Sequence, residues 1–206
     1  PPAPDASAML RHIIVPEDLT AHEIEAVFAI SRDLETKFEE GLREPLFPGR
    51  VLGLVFEKPS LRTRVSFEAA MGQLGGSSVF LSSTDGAIGQ RDPVADFARV
   101  LSQFCDAVVL RVFRHRTIEE FAEHSSVPVI NGLSDYNHPC QALGDLLTIQ
   151  EAFGSLEGRT LVFVGDGNNV ARSLVVACAR AGIETNAVAL MGSDLSAAQE
   201  TLLRPY

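Results

Sequence analysis

Apolar positions along this chain follow two patterns that take turns. From Asp18-Leu19-Thr20, which reads as a helix entry, Ile24, Val27, Phe28, Leu34 and Phe38 recur at helical spacing as far as Gly41. Four short apolar runs follow, at Arg50–Phe56, Ser77–Leu81, Ala107–Val112 and Val127–Ile130. Each is rich in β-branched or aromatic residues and predicts a buried strand. Helical patterns over 62–74, 93–104 and 117–124 separate them. Strands and helices in alternation predict an α/β fold, a parallel sheet flanked by helices.

A longer helical pattern runs from His138 to Phe153, with Leu143, Leu146, Leu147 and Ile149 on one side. Gly154 to Arg159 interrupts it, and Thr160–Val164 begins a further strand. These breaks place a domain boundary near residue 150. Residues 151–206 suffice for a strand, a helix, another strand and the start of a helix. A domain of ordinary size needs about 100–150 residues, so the chain is expected to stop inside its second domain.

Composition narrows the partners. The apolar share of 46% and charged share of 21% are ordinary for a globular protein. A net charge of −10 argues against nucleic acid or an anionic membrane as a bulk partner. An anionic ligand would need a local positive focus. Three widely spaced cysteines, Cys105, Cys140 and Cys178, do not form a disulfide framework and point to a reducing setting. Cys105 and Cys178 lie in apolar stretches and are expected in the core. The first residues lack the basic and apolar segments of a signal peptide, and no apolar run approaches the ~20 residues of a membrane helix. A soluble cytoplasmic protein is the expectation.

The first focus of positive charge is Ser60-Leu61-Arg62-Thr63-Arg64, where the strand ending at Phe56 gives way to a helical pattern. A helix N-terminus offers unpaired N–H groups and a positive dipole end. Hydroxyls and guanidinium groups at that point add donors suited to phosphate. An ordinary capped basic turn fits the same residues. A second block, Asn131 to Leu143, also follows a strand and opens a helix. His138 and Gln141, three apart, can face one ligand from the first turn, and Pro139 suits the first helical position. A zinc site on His138 and Cys140 lacks further ligands at metal spacing, and a structural His on a capped helix is the plainer alternative. Arg111 stands near the C-terminal end of its strand, where open α/β sheets bind ligands; it also fits an arginine pairing at a sheet rim. Gly165-Asp166-Gly167-Asn168-Asn169-Val170 follows a strand but carries Val170 where a dinucleotide fingerprint has its third Gly, and no acidic residue closes the strand at Ala187–Leu190.

Taken together these words resemble the aspartate/ornithine carbamoyltransferase family. Ser60 to Arg64, followed by Val65-Ser66-Phe67-Glu68, is similar to the family's Ser-Thr-Arg-Thr-Arg phosphate motif, with Leu61 in place of the usual Thr. His138-Pro139-Cys140-Gln141-Ala142-Leu143 resembles the motif that binds the carbamoyl end of carbamoyl phosphate, in its ornithine-type form. Gly165 to Asn169 resembles the Gly-Asp-Gly-Asn-Asn of ornithine carbamoyltransferases. The resemblance implies an N-terminal carbamoyl phosphate domain over 1–150 and the start of a Rossmann-like, ornithine-binding α/β domain over 151–206. It implies carbamoyl phosphate binding by Ser60, Leu61, Arg62, Thr63, Arg111, His138 and Gln141, with Arg62, Arg111 and His138 in the catalytic role. Asn169, with Asn168 beside it, would hold L-ornithine. No metal or cofactor is implied. The product would be L-citrulline, in arginine biosynthesis, made by a cytoplasmic homotrimer with shared active sites. The loop Gly86 to Pro93 would reach a neighbouring subunit, although Ala87 stands where many ornithine members carry Gln. Putrescine or an N-acylated ornithine as the amine, a non-catalytic carbamoyl phosphate-binding module and a dehydrogenase remain alternatives.

Overall fold

The computed structural model describes residues 10–83, 88–89 and 92–189. After a short 3-10 turn at Pro16–Asp18, helix α1 spans Ala21–Glu39. Thr20 caps it: its hydroxyl accepts from Glu23 N, and the Glu23 carboxylate accepts Thr20 N at 2.8 Å. Of the apolar positions that predict this helix, Ile24 and Phe28 are buried, while Val27 and Phe38 are partly open to solvent.

The alternation that follows is β1 (Val51–Phe56), α2 (Leu61–Gln73), β2 (Ser77–Ser82), α3 (Val94–Leu101), β3 (Ala107–Arg111), α4 (His115–His124) and β4 (Val129–Leu133). Helix α5 (Pro139–Phe153) leads to β5 (Thr160–Gly165), α6 (Asn169–Arg180) and β6 (Glu184–Ala189). The first four strands form one parallel sheet in the order β2-β1-β3-β4, and β5 pairs with β6 in a second parallel sheet. The expected parallel α/β architecture is therefore the observed one.

Side chains alternate across the first sheet, as a pleated strand requires. Val55, Val108, Leu110 and Val112 pack with Ala98, Ile118 and Phe121 on the face covered by α3 and α4. Leu52, Leu54, Phe56 and Val109 face the other way, toward Phe67 and Met71 of α2. A third cluster joins Ile24 and Phe28 of α1, Ala142 and Leu146 of α5, and Leu174, Ala177 and Cys178 of α6. Cys105 is buried as expected, as is Cys178.

Most strands fall within one residue of their expected bounds, and β4 departs further. The apolar run at Val127–Ile130 predicts β4, yet the strand begins at Val129 and continues through Asn131 and Gly132 to Leu133. Backbone pairing overrides side-chain character here. Asn131 pairs with Leu110 on one side, and its N–H donates to Ile13 O on the other, across a bridge between Ile13 and Ile130. Asn131 is fully buried, and its Nδ2 donates to Ile14 O at 2.8 Å, so a polar residue is accommodated inside a sheet. A register shift between Leu110 and Arg111 brings Leu133 opposite Arg111.

Gly132 permits that irregularity. A Cβ there would lie 2.8 Å from Val109 Cγ1 and 3.3 Å from the Leu110 carbonyl oxygen. Gly132→Ala is expected to lower folding stability by about 1–3 kcal/mol through overpacking. Urea denaturation of the two proteins measures it, and an unchanged midpoint would contradict the packing described.

Candidate active site

With the strand order β2-β1-β3-β4, the chain leaves β1 toward one edge and returns to place β3 on the other side. The carboxyl ends of β1 and β3 thus flank a topological switch point, the crevice where open α/β sheets take ligands. Phe56, the last residue of β1, sits opposite Arg111, the last residue of β3. The two exits are stitched together. Glu57 N donates to Arg111 O at 2.8 Å, the Glu57 carboxylate accepts Phe113 N at 2.6 Å, and Lys58 Nζ lies 4.6 Å from the centre of the Phe113 ring.

Ser60 occupies the N-cap of α2 in an extended conformation, but its side chain does not cap the helix. Its Oγ instead meets Thr63 Oγ1 at 2.9 Å. The first-turn N–H groups at Leu61, Arg62 and Thr63 are thereby left to an external acceptor. Arg111 reaches across from β3 and donates from Nη1 to the same Thr63 Oγ1 at 3.4 Å. Its Nε is buried without a partner, and burial holds the guanidinium pKa below its ordinary value. Arg62 is exposed in the first turn, and Leu61, 78% exposed, projects into solvent. Arg64 does not join them. It pairs with Glu68 at 3.1 Å and lies over the Phe80 ring at 3.7 Å.

His138 is the N-cap of α5, with Pro139 as the first helical residue. Its Nδ1 is buried without a partner, and its pKa is pushed down to about 4, by desolvation first and by the nearby Arg111 charge second. The imidazole is thus neutral at ordinary pH. Cys140 turns its thiol to the Asn131 carbonyl at 3.4 Å, and burial pushes its pKa up to about 11, so it stays protonated and unreactive. Gln141 is engaged along its own helix. It is exposed, and its Nε2 donates to Asp145 Oδ1 at 2.9 Å along the helix, an i,i+4 pairing that spacing from His138 does not reveal.

Asn168 caps α6, accepting Val170 N at 3.0 Å and Ala171 N at 3.1 Å. A diphosphate at this Gly-rich turn would have to displace that cap. Asn169 donates from Nδ2 to Ser134 O at 2.6 Å and so ties α6 to the loop before His138. The loop expected to cross between subunits has Ala87, Gln90 and Arg91 outside the described residues.

Pattern reading passes over a neighbouring group. His115 Nδ1 lies 2.8 Å from Ser134 Oγ, the His115 ring rests on Tyr136 with centroids 5.1 Å apart, and Arg172 stacks on Tyr136 at 3.7 Å. These residues come from three separate elements, and no local spacing marks them.

Comparison with known proteins decides the family. Residues 11–151 match the model of the aspartate/ornithine carbamoyltransferase carbamoyl-P binding domain. The chain belongs to the aspartate/ornithine carbamoyltransferase family. Within that family it is 45% identical over 179 residues to an ornithine carbamoyltransferase of Carboxydothermus hydrogenoformans, covering 87% of this chain and 58% of that one. It is 49% identical over 166 residues to that of Anoxybacillus flavithermus, covering 81% and 53%. Among solved structures, the Pyrococcus furiosus ornithine carbamoyltransferase superposes with a TM-score of 0.90 at 40% identity, over 94% of this chain and 62% of that one. The chain therefore spans somewhat over half the length of these carbamoyltransferases.

A neutral His138 makes the fold acid-sensitive. Its pKa in the fold, about 4, lies below the ordinary 6.5, so the unfolded chain takes up a proton first as pH falls. Stability contributed by this residue is full above about pH 6.5 and is lost as pH drops toward 4. After allowance for its partly open side, the loss is on the order of 2–3 kcal/mol. His12 and His115, also lowered by burial, act in the same direction. NMR titration is expected to find His138 titrating near pH 4; a value near 6.5 would mean that the imidazole is solvated.

Proposed function

We propose that this chain carries the carbamoyl phosphate half, and the entrance to the amine half, of an ornithine carbamoyltransferase. The carbamoyl group of carbamoyl phosphate passes to the side-chain amine of L-ornithine, giving L-citrulline and phosphate, a step of arginine biosynthesis. The observation that carries this reading is the Thr63 hydroxyl, joined at once to Ser60 and to Arg111 across the sheet switch point. In this reading that junction forms an anion seat near the neutral, partly buried imidazole of His138.

In this reading Ser60, Arg62, Thr63 and the backbone at Leu61 hold the phosphate. The amine lone pair attacks the carbamoyl carbon, and the carbonyl oxygen gathers negative charge. Arg111, His138 and the Thr63 hydroxyl stabilise that oxygen. The bond to phosphate then breaks, phosphate leaves with the electron pair, and the amine loses a proton. Preorganised donors of this kind contribute about 10²–10³ each in rate at comparable sites. A neutral His138 suits the work, because it donates a hydrogen bond without repelling the adjacent Arg111. Gln141, its Nε2 held by Asp145, would accept the carbamoyl N–H at Oε1. Asn169 and Asn168 sit at the start of α6, one hydrogen bond from the His138 loop, and take the amine substrate. The chemistry calls for no cofactor.

The same reading divides the chain into a carbamoyl phosphate domain over 1–150 and part of an ornithine domain over 151–206. Supporting it are the family-model span of 11–151 and the separate β5–β6 sheet. A homotrimer fits β2 as the end strand of its sheet, where Val79 is exposed, and the exposed Leu61 and Val65 of α2; a cytoplasmic location belongs to the same reading. Among the described residues no helix is long and apolar enough to cross a membrane.

The test is phosphate release from carbamoyl phosphate with a panel of amines. L-Ornithine is expected to be the accepted amine; turnover with putrescine or an N-acylated ornithine alone would replace the substrate, and binding without turnover would leave a binding module. Arg62→Ala is expected to weaken carbamoyl phosphate binding at least about 100-fold, with the circular dichroism spectrum unchanged. Normal binding by this variant would displace the phosphate from α2.

A further inference from the structure

Ser173 is a polar residue in an apolar place. It lies in the second turn of α6, fully buried, beside Leu174, Val175, Val176, Ala177 and Cys178, all of them buried too. A hydroxyl in such surroundings must be hydrogen-bonded, and this one is bonded mainly outside its own helix. Ser173 Oγ accepts the backbone N–H of His138 at 2.8 Å. Its single proton has two acceptors in reach, Asn137 Oδ1 at 2.9 Å and Asn169 O at 2.8 Å.

The tether falls on His138, whose imidazole is desolvated and feels the Arg111 charge. His138 has φ −137° and ψ 70°, outside the helical region; its carbonyl accepts Ala142 N at 3.2 Å as the N-cap of α5, while its N–H, which has no partner within the helix, is taken by Ser173. A second tie secures the other end of the same loop, where Asn169 Nδ2 donates to Ser134 O. Helix α6 thus grips residues 134–138 at both ends. The imidazole itself has no partner at Nδ1, so its aim depends on where its backbone is held.

We infer that Ser173 is a positioning residue for carbamoyl transfer, aiming His138 through its backbone N–H. The inference rests on the reading of His138 as a donor to the carbamoyl oxygen, and adds that the donor is set by a residue from beyond the carbamoyl phosphate-binding sequence. Ser173 is fully buried and bonded to protein atoms, so it acts through His138 and not on a substrate directly. Its contribution therefore belongs to the transition state, where a misplacement of about 1 Å costs on the order of 10² in rate. The phosphate seat is built separately, on β1 and α2, and does not depend on Ser173.

Two variants of the intact protein test this. Ser173→Ala removes the tether, and Ser173→Cys keeps the volume with a much poorer acceptor. Both are expected to lose about 10- to 100-fold in kcat, while KM for carbamoyl phosphate changes less than about threefold. The His138 imidazole, followed by NMR, is expected to titrate above its wild-type value as the loop loosens and water enters. A role in packing alone predicts that Ser173→Cys behaves as wild type, and that result would overturn the inference. So would a kcat within twofold of wild type in either folded variant, or equal losses in kcat and in carbamoyl phosphate affinity. Wild-type turnover tests the enzymatic reading itself. If that turnover is absent, the NMR titration still decides whether Ser173 holds His138, since it needs no substrate.

Discussion

Parallel pairing of β1 with β3, rather than with β2 alone, is the constraint on which the rest of this structure depends. It places Phe56 against Arg111 and leaves two strand exits side by side with their connections departing in opposite directions. Three consequences follow without further adjustment. The α2 N-terminus points its free amides into the gap, Arg111 arrives from the neighbouring strand, and Thr63 falls within reach of both Ser60 and Arg111. A register change of one residue would turn Arg111 to the opposite face of the sheet.

Burial does the remaining tuning. A guanidinium sheltered from water keeps its charge at any ordinary pH and exerts its field with little screening. The same shelter, together with that charge, keeps His138 neutral. The outcome is a fixed cation beside a neutral imidazole, which under the proposed function would suit an oxygen that becomes negative during reaction. Cys140, two residues further on, meets the same desolvation and is held as an inert thiol hydrogen-bonded to Asn131.

The fold was largely legible before any coordinates, because buried parallel strands and amphipathic helices have distinct periods. Misplaced boundaries trace to backbone hydrogen bonds that side-chain character does not report. Asn131 and Gly132 read as a loop and are strand, since Leu110 and Ile13 supply partners on either side. Among the candidate site residues, Ser60, Arg62, Thr63, Arg111 and His138 were singled out by their words and spacing, and the structure joins Ser60, Thr63 and Arg111 by hydrogen bonds. Arg64 and Gln141 share those words but are engaged by Glu68 and Asp145 along their own helices, a competition invisible in a linear motif.

Sequence alone determined that strands and helices alternate, that two helices open just after strands, and that hydroxyl, guanidinium and imidazole groups gather at those openings. These are local properties, set by propensity, period and neighbouring residues. Only the tertiary structure decided which openings face each other, that His138 is neutral, and that Ser173 and Asn169 hold its loop from α6. These depend on residues far apart in the chain, such as His138 with Arg111, His138 with Ser173 and Thr63 with Arg111. Burial and long-range hydrogen bonding arise when the chain packs, and no short window of sequence contains them.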